Sequence, residues 1–520
     1  MPIYQLLEDH CRRIPDRIAV ANGSQELTYS ELAASVDTLA MSMVASGIKK
    51  GDRVVTLAAP SIEFWISFLA TVSIGAIWSG LNPRYRQHEC RLRLNELQPK
   101  LVLVLEDSTD GRDLLEELES TLVDEANTIS SEIFSFGERD DEYAFSRYLS
   151  RGEKISASDY KAALASAHDE DIAVIVYTSG STGNPKGAML SHGAMLQCAT
   201  VAVEWLGDSL QKAIMAVPIN HVGGLNNLCM NVFAYGGTIR FLARFSIEDI
   251  LAIGDQESVT YVGHNQTTFT MLLGLPDFSL EKMRACRALV HGGSRTSEKT
   301  LAQFLPLKAS ISSVYAQTES CGYILRSEQG ATLDVMANTL GKPLPGVTIR
   351  IADPVSNQAL PIGEVGELQA KFAWPFSGYY NNPKASDAVF SDDGYLKTGD
   401  LCLERTDGNI ELIERMSQMY KSGGHSIFPT EIEQAICRHP DVAMAAVLGV
   451  EDELFGEVGY AFVMPKKATE LTERSLDEFL RQQIANFKVP KTIQLLTTMP
   501  LLANTKVDKQ ALKDMLNDNS

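Results

Sequence analysis

Short apolar runs alternate with longer amphipathic stretches through the first two-thirds of the chain. Arg53-Val54-Val55-Thr56-Leu57, Leu101 to Leu105, Ile172 to Tyr177, Ala213 to Val217 and Leu289-Val290-His291 have the apolar composition of buried strands. Between them, Tyr29 to Ala45 and Ser61 to Ile74 have the length and spacing of helices. This alternation predicts α/β architecture with largely parallel sheets. Phe64 to Trp78 is the most apolar stretch, but it is about 15 residues long and contains Ser67 and Ser73, short of the roughly 20 that span a bilayer. A buried helix is expected there. No repeat of fixed period is visible.

From about Gly341 the texture changes to short strands broken by Pro345-Gly346, Gly363-Glu364-Val365-Gly366, Asp393-Gly394 and Asp407-Gly408, which predicts a small β-rich subdomain. After Arg415 come a loop at Gly423-Gly424, a helical Thr430 to Arg438, strands at Ala443 to Val450 and Gly459 to Met464, and a helical Ser475 to Ile484. Residues 415–520 therefore form a separate small α+β domain, and 1–414 a large one whose β-rich part begins near 341. Asp107 to Glu170, rich in charge and serine, yields no assignment.

The 520 residues carry 46 Lys and Arg against 66 Asp and Glu, a formal charge of −20. No basic run suits wrapping nucleic acid or lying on anionic lipid, so any phosphorylated ligand must be met locally. With 45% hydrophobic and 22% charged residues the chain is globular, and its length implies two or more domains. The eight cysteines stand far apart, without a CxxC pair or a histidine at metal-ligand spacing, which predicts reduced, buried thiols and a cytoplasmic protein. Met1 to Val20 holds Glu8, Asp9 and Asp16 and suits neither a signal nor a transit peptide. The final Asn517-Asp518-Asn519-Ser520 is neither a peroxisomal address nor a lipidation box.

The strongest local signal is Tyr177-Thr178-Ser179-Gly180-Ser181-Thr182-Gly183-Asn184-Pro185-Lys186-Gly187, directly after an apolar run. Its glycines let backbone N–H groups converge on an anion, and its hydroxyls and ammonium add donors. It is not a P-loop of the Walker type, because Pro185 and Gly187 stand where that loop needs Gly and Ser or Thr.

Tyr177 to His192 resembles the signature loop of the adenylate-forming superfamily, which contains acyl-CoA synthetases, nonribosomal adenylation domains and firefly luciferase. The rest follows in the family's order: Tyr315-Ala316-Gln317-Thr318-Glu319 is similar to YGxTE, Gly363 to Leu368 to GExGEL, and Tyr395 to Asp400 to YxTGD. Gly423 to Glu433 matches the next loop and helix, and Asn504 to Leu512 resembles NGKVDRxxL. The resemblance covers essentially the whole chain. It implies that the C-terminal domain is mobile, with a hinge at Ser417, where the family usually has Asp or Lys.

The resemblance also implies roles. Thr178, Ser179, Gly180, Ser181, Thr182, Gly183 and Lys186 hold the β- and γ-phosphates of ATP, with Thr178 also near the metal. Tyr315 packs on adenine, flanked by Ala316 and Gln317, Thr318 reaches the α-phosphate, and Glu319 binds Mg²⁺, a cation suited to hard oxygen donors. Gly292, Gly293 and Ser294 lie beside adenine, Asp400 and Arg415 meet the ribose, and Leu412 is the adenine-side aliphatic. Lys506 is the catalytic lysine of adenylation, and Lys421 faces the site during thiol transfer. Gly423 and Gly424 flank the coenzyme A tunnel, and His221 is a gate at the carboxylate. The acyl pocket takes in His221, Val222, Gly223, Gly292, Ala316 and Gly322. Taken without the family, most of these are turn, core or surface residues; His221 alone reads as a hydrogen-bonded turn histidine.

The reaction so implied is carboxylate, ATP and CoA to acyl-CoA, AMP and pyrophosphate, through a bound acyl-AMP. Asn486-Phe487-Lys488-Val489-Pro490 resembles a segment of acyl-CoA synthetases and supports free CoA as acceptor. A stand-alone adenylation enzyme loading a carrier protein, or an aryl-CoA ligase, is the alternative. Asn226, Asn227, Asn265 and Gln266 stand among small and apolar residues around the pocket, which favours a medium or long aliphatic acid or another bulky apolar one. A homodimer is compatible with the fold, and no cysteine is required as nucleophile.

Overall fold

The apolar runs become strands where their pattern places them. In the computed structural model, residues 2–105, 112–122, 130–137, 139–178, 185–374, 376–423, 425–466, 469–502 and 507–518 are described. The chain divides into two units, Met1–Ala337 with Pro343–Val347 and Lys371–Phe390, and Asn338–Lys342 with Thr348–Ala370 and Ser391–Ser520.

The first unit is α/β. One sheet runs Glu132–Ser135, Leu101–Val104, Arg53–Leu57, Ile77–Leu81, then β1 (Ile172–Thr178) and β2 (Lys186–Ser191). Its pairings are parallel except the last, where β1 and β2 are antiparallel. A second sheet has parallel neighbours Ile18–Asn22, Thr238–Phe241, Lys212–Met215, Tyr261–His264, β3 (Ala288–Gly292) and β4 (Ser310–Gln317). The antiparallel β5 (Gly322–Arg326) continues it beyond β4.

Helix Tyr29–Ala45 begins on a capping box of Thr28 and Glu31, which fixes its start by satisfying the first free N–H groups. Helix Ile62–Ser73 is capped by Ser61 and links the two sheets through aromatic contacts. Phe64 lies 5.9 Å from Trp78 of one sheet and 5.5 Å from Phe241 of the other. Burying aromatic side chains here contributes on the order of 2 kcal/mol each. The Trp78 indole N–H still finds the Thr56 hydroxyl at 2.9 Å.

Of the stretch Phe64 to Trp78, where a buried helix is expected, only the part within the expected Ser61 to Ile74 helix is helical. The helix stops at Ser73, Gly75 turns the chain at a φ of 71°, and a strand begins at Ile77. Helix and strand are both buried, so composition does not separate them. Among the described residues no helix is long and apolar enough to cross a membrane.

The second unit contains an antiparallel sheet of Gly366–Phe372, β6 (Leu396–Glu404) and β7 (Ile410–Arg415). After it come hairpin strands Tyr420–Ser422 and His425–Ile427, then α1 (Pro429–Cys437). The antiparallel pair Val442–Asp452 and Gly456–Pro465 follows, with Thr492–Leu495 added in parallel. Ile432, Ile436, Val447, Val463, Leu476 and Leu480 pack α1 and helix Glu473–Gln483 on this sheet. The residue before α1, Phe428, offers no side-chain cap. Glu414 at the end of β7 does so instead, accepting from the Thr430 N–H at 2.6 Å and the Thr430 hydroxyl at 3.1 Å.

Candidate active site

The phosphate-loop sequence joins two antiparallel strands, with Thr178 paired opposite Lys186. This strand–loop–strand geometry differs from a P-loop, where a helix follows. Ser179, Gly180, Ser181, Thr182 and Gly183 lie outside the described residues. At the described ends, the Thr178 hydroxyl donates to the Lys186 carbonyl at 3.4 Å. Gly187 lets β2 lie close on β1, since a Cβ there would stand 2.8 Å from Ile175 Cγ2.

Segment 378–380 runs along the outer side of β2. The Tyr380 N–H donates to the Gly187 carbonyl at 2.7 Å, and the Met189 N–H to the Gly378 carbonyl at 3.0 Å. This register carries Tyr379 to the hairpin, with its ring centroid 5.2 Å from Lys186 Nζ. The Tyr379 hydroxyl donates to Glu319 Oε1 at 2.7 Å. Burial and the adjacent Glu319 carboxylate push this phenol far above its ordinary pKa, so it stays a proton donor. Tyr379 was not among the residues singled out from sequence. The only local signal is Gly378-Tyr379-Tyr380 just before the Asn382-capped helix Pro383–Ala388.

Glu319 sits in the turn between β4 and β5. The Cys321 N–H donates to the Thr318 carbonyl at 2.9 Å, and Ser320 Oγ accepts from the Gln317 N–H at 3.1 Å. The Trp374 indole pins the Ser320 carbonyl at 3.0 Å. Tyr315 is buried, and Gln317 Nε2 donates to its hydroxyl at 3.0 Å. A register shift between Tyr315 and Ala316 marks where β4 begins to leave its partner. Beside it, Gly292 is required by close approach, because a Cβ would meet Val314 Cγ2 at 2.7 Å. Gly293 follows at a φ of 76°, and Ser294 is exposed.

His221 uses its ring as a helix cap, Nδ1 accepting the Gly223 N–H at 3.0 Å ahead of the turn Val222–Gly224. The following segment Leu225–Met230 packs against the 321–323 strand start. Asn226 Nδ2 donates to the Cys321 carbonyl, and Tyr323 donates to the Asn227 carbonyl at 3.1 Å. The Tyr323 and Tyr261 hydroxyls are 3.2 Å apart, and Trp205 meets the Tyr323 ring at 5.9 Å. Gly322 has no room for a side chain, with Asn227 Oδ1 and Cys198 Sγ inside contact distance of a Cβ. Burial pushes the Cys198 thiol up to about 12 and Cys321 well above its usual value, so neither supplies a thiolate near neutrality.

In the second unit, Asp400 and Arg415 are register partners on β6 and β7, with Arg415 Nε 3.1 Å from Asp400 Oδ1. Leu412 pairs with Cys402 on the same two strands. Ser417 lies in a turn closed by the Gln418 N–H on the Arg415 carbonyl at 2.9 Å. Lys421 is exposed, and the Gly423 N–H donates to the Phe455 carbonyl at 2.8 Å. Gly424 and Lys506 lie outside the described residues.

Among the described residues no group of three or more His, Cys, Asp or Glu is arranged to hold a metal. Glu319 nevertheless fits Mg²⁺, which binds by one or two carboxylates together with substrate phosphates rather than in an all-protein cage.

Residues 7–380 match the AMP-binding enzyme family, and residues 431–506 match the AMP-binding enzyme C-terminal domain. A feruloyl-CoA synthase of an Amycolatopsis species is 29% identical over 501 residues, 96% of each chain. A 2-succinylbenzoate–CoA ligase of Bacillus licheniformis is 27% identical, covering 97% of this chain and 98% of its own. Among solved structures, ATP-bound MatB from Rhodopseudomonas palustris superposes with a TM-score of 0.83 at 27% identity, over 100% of this chain and 99% of that one. The anthranilate CoA ligase AuaEII in complex with anthranoyl-AMP, at 21% identity, shares the fold with a TM-score of 0.87 over 100% and 98%.

Proposed function

The chain belongs to the AMP-binding enzyme family and is an AMP-forming acid–thiol ligase, and from that premise we propose that it joins a bulky, ring-bearing apolar acid to CoA through a bound acyl-AMP. The observation that carries the reading is the grouping of Lys186, Tyr379 and Glu319 where the glycine- and serine-rich hairpin meets the turn after β4. An ammonium, and a hard carboxylate able to hold a divalent cation, are there what an in-line attack on the α-phosphorus needs, because charge must be neutralised on the departing pyrophosphate.

Glu319 would hold Mg²⁺, which when bound neutralises phosphate charge. Lys186 and the hydroxyls of the hairpin hold the terminal phosphates, Tyr315 packs on adenine, and Thr318 donates to the α-phosphate. Asp400 orients the ribose, with Arg415 beside it. Lys506 bridges carboxylate and phosphate in adenylation. Lys421, Gly423 and Gly424 serve the thiol-transfer step after rotation at Ser417, and CoA supplies its own nucleophile.

With Gly322 in the acyl pocket, as the family resemblance implies, the neighbouring Tyr323, held by its hydroxyl against Asn227 and Tyr261, favours compact, ring-bearing acids over unbranched long chains. Moving that side chain would break its hydroxyl contacts with Asn227 and Tyr261, each worth about 1 kcal/mol. The curated relatives named for feruloyl and 2-succinylbenzoyl thioesters support the same class.

The deciding assay supplies purified protein with Mg-ATP, CoA and a mixture of aliphatic, aryl and fused-ring acids, and reads products by mass. Ring-bearing CoA thioesters are expected. Exclusive formation of long-chain thioesters overturns the acid class, and accumulation of acyl-adenylates without thioester gives the carrier-protein reading precedence.

A further inference from the structure

We propose that Tyr379 is a positioning residue for ATP activation, its hydroxyl setting the Glu319 carboxylate and its ring face setting the Lys186 ammonium, so that one side chain holds two opposite charges in register. The inference rests on the reading of Glu319 as the Mg²⁺ carboxylate.

The phenol has one proton, and it donates that proton to Glu319 Oε1 at 2.7 Å. A carboxylate has about four acceptor sites, so a single donor orients it and leaves capacity for a cation. The opposite contact is made by the ring, whose centroid lies 5.2 Å from Lys186 Nζ, within the roughly 6 Å over which an aromatic face attracts an ammonium. Lys186 and Glu319 form no ion pair with each other among the described residues, although a direct pair would satisfy both charges. Tyr379 stands against both, and each charge stays available to ATP and its metal.

The side chain that does this is itself fixed. The Tyr379 N–H donates to Ser386 Oγ at 2.8 Å, its backbone pairs with Ala188, and its ring meets Phe376 edge-on at 5.1 Å. A residue held on three sides aligns its partners without paying ordering entropy when ATP arrives. Groups that orient a metal ligand characteristically change metal affinity by about 10- to 100-fold when removed.

The test separates the two ends of the tyrosine. Tyr379→Phe keeps the ring and deletes the hydroxyl; Tyr379→Leu deletes both. Binding of a non-hydrolysable ATP analogue is measured by calorimetry, without metal and over a Mg²⁺ titration. Tyr379→Phe should raise the Mg²⁺ concentration at half-saturation about tenfold and leave metal-free nucleotide binding unchanged. Tyr379→Leu should weaken metal-free binding as well, through Lys186. Glu319→Gln is the reference, and adding Tyr379→Phe to it should produce no further change in Mg²⁺ demand.

An unchanged Mg²⁺ demand in Tyr379→Phe, with Glu319→Gln strongly shifted, overturns the inference and leaves the metal assignment standing. If Glu319→Gln itself is unshifted, the metal assignment falls and the inference falls with it. Additive losses in the double variant mean that Tyr379 acts on the fold and not through Glu319, and also overturn it.

Discussion

Lys506 illustrates a residue whose chemistry is visible only in company. Composition offers Lys488, Lys491, Lys506, Lys509 and Lys513 as equivalent surface cations, and only the register of the NTKVDKQAL segment distinguishes one. Lys506→Ala should lower acyl-AMP formation by about 10²- to 10³-fold, the usual effect of removing a transition-state donor. Thioester formation from supplied acyl-AMP should be largely intact. Single-turnover assays of the two halves check this, and equal loss in both would refute the division of labour. Tyr379 is the converse case. Its partners Glu319 and Lys186 are distant in sequence, so no local spacing announces it, and only the pairing of segment 378–380 with β2 brings the three together.

At the scale of elements, legibility followed how local the physical cause was. Helix Tyr29–Ala45 and strand Arg53–Leu57 have the bounds that their patterns predict, because a capping box and a short, mostly apolar run are local signals. The helix expected over Ser61 to Ile74 ends where the structure ends it, but the strand that follows Gly75 was hidden, because the apolar stretch runs on to Trp78 through a single glycine. The cap of α1 was hidden for a different reason: its acceptor, Glu414, comes from another strand. Glu414 is buried and holds Thr430 twice, so Glu414→Ala should destabilise the second unit by about 1–3 kcal/mol. A shift of the urea midpoint for a C-terminal probe checks this, with Glu414→Gln recovering part of the loss. An unchanged midpoint in Glu414→Ala would show that Thr430 finds another acceptor.

At the scale of the whole molecule, buried histidines such as His192 and His291 set an acid limit. His192 and His291 are buried, and burial pushes each imidazole down to about 4 from the ordinary 6.5. Between those values the unfolded chain binds protons that the folded chain refuses. Stability from these groups is therefore complete above pH 6.5 and is lost as the pH falls towards 4. Each contributes on the order of 3 kcal/mol over that interval. The thermal midpoint should fall across it, and His291→Gln should flatten the fall; an equally steep decline in the variant would assign the acid sensitivity to other groups. The strap from Glu414 to Thr430 has its own consequence for anyone exchanging modules between relatives. A chimera joined at Ser417 would separate an acceptor from the helix it caps and leave the compatibility of the two to the donor's residue at that place. A junction placed before β7 or after α1 transfers the acceptor with its helix, or keeps both, and is the seam along which this protein can be recombined.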